Sequence, residues 1–297
     1  MFLEALVNVK VEIHEYQEDE FIIEIDDPRF SDEHIPGLVQ AFQGLYRQVS
    51  LICFSDVALT EKGLAQLKDI MVPPFQLHQI RFHKEKYHKV LQAFGDLIVH
   101  PDSTLRHLHL WPSQCEKDAF VSFCRSLESY DCVLQTLHLS TLLYVQEEEK
   151  QSLMMAFAKA LGQNTSVTSL TIKSCDGFDE TVMEAFSKSM AINHTLKSLT
   201  LQNCELGNTV TLKILCDGIQ SNCTLTKLDL SLNFIDNQGK SNILCLLQNN
   251  YTLTSVDPTS PQIEVLCNRN IAMRKKRLSL MPMSRKLWNL LCRKMLF

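Results

Sequence analysis

Glycine is scarce, with nine in 297 residues. None of them cluster, so the glycine-rich loops that cradle phosphates are missing. HExxH and GxSxG are absent too, which removes the signatures of zinc proteases and α/β-hydrolases. No run of eighteen apolar residues occurs, so no membrane span is expected. The first residues lack a basic segment followed by an apolar core, so no secretory signal is read there. Eleven cysteines are scattered with no CxxC pair. That scatter argues against a disulfide framework and against zinc, and for a reduced, cytoplasmic setting. The expectation is a protein that is not an enzyme, with no cofactor and no metal.

What the chain does have is a period. Leu196, Leu199, Leu201, Cys204 and Leu206 spell LxxLxLxxCxL. The frame returns at Leu225, Leu228, Leu230 and Asn233, and also starts at Val49, Leu77, Leu105, Leu134, Val167 and Leu253. Successive starts are 28, 28, 29, 33, 29, 29 and 28 residues apart. Such a period predicts a solenoid, in which each repeat covers its neighbour's apolar face. The LxL segments alternate and read as short strands with one face buried. Parallel strands need a crossover, and stretches such as Ala156–Leu161 and Met183–Met190 supply helical spacing for it. The 33-residue step predicts a longer helix or loop near residues 143–150.

Two positions recur at the joints. Asp102, Asp131, Asn164, Asn193, Asn222 and Asn250 each stand three residues before a strand start. Their side chains suit a helix-to-strand turn. The four asparagines also read as N-x-Ser/Thr sequons. One periodic origin explains all four better than four glycans do. Cys175, Cys204 and Asn233 share a position after the strand, where a side chain can bond the turn backbone.

These residues resemble the leucine-rich repeats of the ribonuclease-inhibitor type, over roughly residues 20 to 260. The resemblance implies an α/β leucine-rich repeat solenoid, a horseshoe with a parallel concave sheet and convex helices. The expected organisation is an N-terminal cap and degenerate repeat over 1–48, repeats over 49–260, and a basic helical cap or tail over 261–297. Val7, Val9, Val11 and Ile13 read as a capping strand, Phe21 to Ile25 as a second strand, and Asp32 to Leu45 as a helix.

Charge is uneven. Nine Lys or Arg and no acid lie between Arg269 and Phe297, and the rest of the chain carries a formal −14. An acidic body argues against nucleic acid over the repeats. In the tail, Arg274–Arg277 is a basic run, and Leu287, Leu290, Leu291 and Met295 fall at helical spacing. A cap helix, a membrane-surface helix and a docking tail all fit that pattern, the cap best.

Residues flanking the LxL leucines should share the open face of the sheet. Arg81, His83, His107, His109, Trp111 and His138 fall there on three adjacent strands and form one predicted patch. Trp and Arg are common interface anchors, and histidines can titrate near neutral pH. Protein binding, a solvated face without a partner, a phosphate-like ligand at Arg81, and a metal held by His107, His109 and His138 are the readings weighed. Protein binding by a monomer, made pH-sensitive by the histidines, is the expectation. The resemblance adds three kinds of role: an intracellular adaptor or inhibitor, a GTPase regulator, or an effector of the Legionella type that acts on a protein in the host cytoplasm. The bare array and its degenerate early repeats resemble the effectors most.

Overall fold

The computed structural model describes residues 8–17, 20–45, 49–72, 77–83, 90–111, 116–140 and 147–279. Ten strands form one sheet in sequence order: β1 (Val11–Gln17), β2 (Glu20–Asp26), β3 (Val49–Ser55), β4 (Gln79–His83), β5 (His107–Trp111), β6 (Thr136–Ser140), β7 (Ser169–Lys173), β8 (Ser198–Gln202), β9 (Lys227–Asp229) and β10 (Ser255–Asp257). The first pair is antiparallel, and every later pair is parallel. Between strands run α1 (Ile35–Leu45), α2 (Glu61–Gln66), α3 (Val90–Ile98), α4 (Lys117–Glu128), α5 (Glu147–Gln163), α6 (Glu180–Ile192), α7 (Thr209–Gln220) and α8 (Asn237–Asn249); α9 (Pro261–Ser279) follows β10. This is an α/β architecture whose recurring strand, turn and helix are consistent with a leucine-rich repeat.

Period-two alternation assigns the two faces of the sheet. In β4, β5, β7 and β8 the second and fourth residues are buried and the others half-buried. Leu108, Leu110, Leu137, Leu139, Leu170 and Ile172 turn to the helices and join the core with Phe120, Phe123, Phe157 and Phe186. Burying one such side chain contributes about 1.5–3 kcal/mol. Several helices start where short polar side chains satisfy their first N–H groups. Asp179 accepts from Val182 N at 2.8 Å, Asn208 from Val210 N at 2.8 Å, and Asp236 from Gly239 N at 2.7 Å.

The recurrent asparagines form a buried ladder along the joints. Asn193 Nδ2 donates to the carbonyls of Leu161 (2.6 Å) and Asn164 (3.3 Å). Asn222 Nδ2 donates to Met190 (2.7 Å) and Asn193 (2.9 Å), and Asn250 Nδ2 to Ile219 (3.1 Å) and Asn222 (3.0 Å). Each Oδ1 accepts backbone N–H groups two and three residues on. The sequon nitrogens are thus buried and already donating, which leaves no room for a glycan in this fold. The ladder closes on α9. Asn270 Nδ2 donates to Asn250 O (3.1 Å) and Leu253 O (2.7 Å), and Arg269 Nη2 donates to Leu247 O (2.6 Å). Arg269 also lies over the Tyr251 ring at 4.4 Å.

The second recurring position works as its chemistry suggests. Asn233 Nδ2 reaches back to Leu201 O at 2.6 Å, while its Oδ1 accepts from Cys204 N at 2.7 Å. The turns here use left-handed backbone at Ser174, Asn203 and Leu232 (φ 52, 53 and 61).

Some boundaries differ from expectation. The first strand begins at Val11, two residues after Val9, and Val7 lies outside the described residues. The long step is taken up by α5, with 17 residues against 12 in α4 and 13 in α6. The tail at Ser284–Phe297 also lies outside the described residues, while Arg274 and Lys275 are exposed on α9. Among the described residues no helix is long and apolar enough to cross a membrane.

Candidate functional site

The predicted columns exist in the hydrogen-bond register. Cys53 pairs with Arg81, Arg81 with His109, and His109 with His138, then Thr171, Thr200, Asp229 and Asp257 follow. Gln79, His107 and Thr136 form the column before it, and Ser55, His83 and Trp111 the column after. Beside the patch, one pairing is missing. The β5–β6 ladder stops at Leu110 and Leu139, so Trp111 has no backbone partner in Ser140. Its indole meets His138 instead, with ring centroids 4.9 Å apart.

The rings make one continuous surface. His83 stacks on Trp111 at 3.9 Å and 13° between planes. His109 stacks on His138 at 5.1 Å and 26°, and His109 lies 6.2 Å from Trp111 at 45°. All of these side chains are half-buried, as strand residues on the open face should be. His107 sits in its own column beside Gln79, away from these stacks.

Burial reverses the expected protonation. His109 is pushed down to about 4 by burial first, then by His138 and Arg81. His138 is pushed down to about 4 by burial, then by Lys173 and Arg81. Burial also lowers His83 and His107, with Arg81 adding to the first and His78 to the second. His109 and His138 therefore add no positive charge to the patch at mildly acid pH, as unperturbed imidazoles would. The contacts agree. His109 Nε2 lies 3.4 Å from Gln79 Nε2, an acceptor role open only to a neutral ring. His138 Nε2 lies 2.9 Å from Ser140 Oγ.

Arg81 is the fixed cation among these rings. Its Nε is buried and has no hydrogen-bond partner. The sequence columns also missed an acidic flank. β2 pairs parallel with β3, which sets Glu24 beside Cys53 and Asp26 beside Ser55. The alternation of buried Ile23 and Ile25 with Glu24 and Asp26 carried that signal. At the far end, Asp229 is engaged locally, with Oδ1 accepting Ser231 N at 2.9 Å.

A Cys53–His109 nucleophilic pair and a histidine metal site both fit this geometry poorly. Cys53 and His109 have Arg81 between them, and the Cys53 thiol is pushed up to about 11 by burial and Glu24. It is not a poised nucleophile. For a metal, the described residues with converging ligand atoms are Glu12, His14 and Glu24, all exposed and within 4.8 Å of one another. His107, His109 and His138 are not such a group. Lys10 Nζ already pairs with Glu12 at 2.9 Å in the exposed cluster.

No protein-family model matches the chain, and no curated protein matches it. Among solved structures it is similar to "Leiomodin-1 Actin-Binding Site 2 (ABS2)", with a TM-score of 0.43 and 19% identity, over 55% of this chain and 94% of that one.

Proposed function

We propose that this protein is a noncatalytic protein-binding module. Its partner docks on the open sheet face at Arg81, His83, His107, His109, Trp111 and His138. The observation that carries the reading is the stack of His83, Trp111, His138 and His109, which leaves an aromatic surface half-exposed beside Arg81, a cation with no ion pair among the described residues. Aromatic rings and arginine supply most of the binding energy at protein interfaces. The neutral Cys53 thiol supports a noncatalytic role.

The finer architecture belongs to the same proposal. Strands pack about 4.8 Å apart, while helices need about 8–10 Å. Helices on one side of a parallel sheet therefore bend it, and the open face becomes the concave side of a horseshoe. A monomer acting in the cytoplasm is part of this reading. The role of a delivered effector acting on a host protein is supported by the sequence resemblance alone.

Affinity capture from eukaryotic cytosol tests the reading, with wild type run beside the Arg81→Ala/Trp111→Ala variant and quantified by mass spectrometry. A partner held by wild type and lost by the variant is the expected result. A partner held equally by both places binding elsewhere.

A further inference from the structure

Resting on that reading of the face, we infer that the partner segment is acidic and that it delivers a carboxylate side chain to Arg81 beside the Trp111 surface. Arg81 has an unmet valence. A guanidinium carries five N–H donors and no acceptor. Among the described residues Arg81 has no ion pair, and its Nε is buried without an acceptor. A buried donor left unpaired costs free energy, so native structures rarely keep one. Arg81 as a whole is half-buried, so an incoming acceptor would meet the guanidinium at its remaining N–H groups rather than at the inaccessible Nε.

The field around Arg81 selects the acceptor's charge. The neighbouring imidazoles are neutral at physiological pH, so Arg81 is the central charge among the rings, with Lys173 at their far edge beyond His138. A basic partner would meet that cation, and the rings offer it no compensating acid. An acidic partner would form a charge-assisted, bidentate pair, the geometry that guanidinium and carboxylate share.

A carboxylate fits better than a phosphate. Phosphate carries close to two charges and is held by several cationic or backbone donors at once. Here a single guanidinium stands among the rings, with Lys173 three strands from it, and Glu24 and Asp26 lie two strands away, about 10 Å. Both acids influence His83, which measures their reach across the face. That field penalises a dianion more than a monoanion.

The probe is a displayed library of random twelve-residue peptides, selected separately on wild type, Arg81→Glu, Arg81→Lys and Trp111→Ala. All four proteins are first matched for circular dichroism and melting. Wild type should return peptides with an Asp or Glu at one fixed position near an apolar or aromatic residue. Changing that acid to its amide should weaken binding roughly 10- to 100-fold, and changing it to phosphoserine should also weaken binding. Arg81→Lys should keep the acid preference, and Arg81→Glu should exchange it for Lys or Arg. A wild-type selection without an acidic position, an empty one included, overturns the inference. So does tighter binding of the phosphoserine peptide. Peptides that lack an acid but are lost on Trp111→Ala sink the carboxylate and leave the binding face standing. Peptides that bind Trp111→Ala and Arg81→Glu as well as wild type sink both.

Discussion

His83 and Trp111 stack face to face across β4 and β5, with centroids 3.9 Å apart and planes 13° from parallel. The register pairs the two residues directly, so the stack follows from strand pairing. It presents a rigid flat surface on the open face.

That surface separates binding from folding. Trp111→Ala removes the His83 stack and the looser contacts to His138 and His109 on a half-buried face, worth about 1 kcal/mol beyond the area they bury. Binding should fall much further, by roughly 30-fold or more, as for a central interface anchor. Calorimetric titration with the captured partner, beside a urea melt, reads both quantities. Equal small losses in each would make Trp111 an ordinary surface residue.

The histidines set a pH dependence with a definite sign. His109 and His138 titrate at about 4 in the folded protein against about 6.5 when unfolded. Between those values the unfolded chain binds more protons, so stability falls as pH drops from 6.5 toward 4. The loss is complete below the folded value. The His109→Gln/His138→Gln variant should show a flatter melting curve across that window, and proton NMR should find both rings neutral at pH 5.5. Rings already protonated at pH 6 would contradict the geometry.

The asparagine ladder predicts an isosteric substitution with a large effect. Asn222→Asp keeps the acceptor for Thr224 N and Leu225 N. It replaces the donor with an oxygen facing the carbonyls of Met190 and Asn193. Stability should drop by roughly 2–4 kcal/mol in urea denaturation. A change below about 0.5 kcal/mol would mean the ladder is ornamental.

The helix layer has its own tight point. A Cβ at Gly218 would lie against the Ser187 hydroxyl and carbonyl oxygens, closer than such atoms approach. Gly218→Ala gains about 1 kcal/mol of helix propensity but forces α6 and α7 apart. Thermal melting should show net destabilisation of roughly 1–3 kcal/mol. A stabilised variant would show that the helices are packed more loosely than this.

The columns of the open face were legible because LxL alternation fixes which side chains share a face, and equal repeats fix the register. Arg81 opposite His109, and His109 opposite His138, follow from counting residues. The ladder positions were legible for the same reason. Ring orientation was not, since it depends on side-chain torsions that no spacing encodes. Protonation was misread because imidazole burial comes from three neighbouring strands at once. The acidic flank was missed because β2 precedes the regular repeats, and its parallel pairing with β3 shows in no motif.

On the proposed function, one face of the sheet meets the partner. A photo-crosslinking phenylalanine placed at Thr136, beside His107 on the open face, tests it against one placed at Lys188 on exposed α6. The expected result is a crosslink to the captured partner from position 136 and none from 188. Crosslinks from 188 with none from 136 would contradict it.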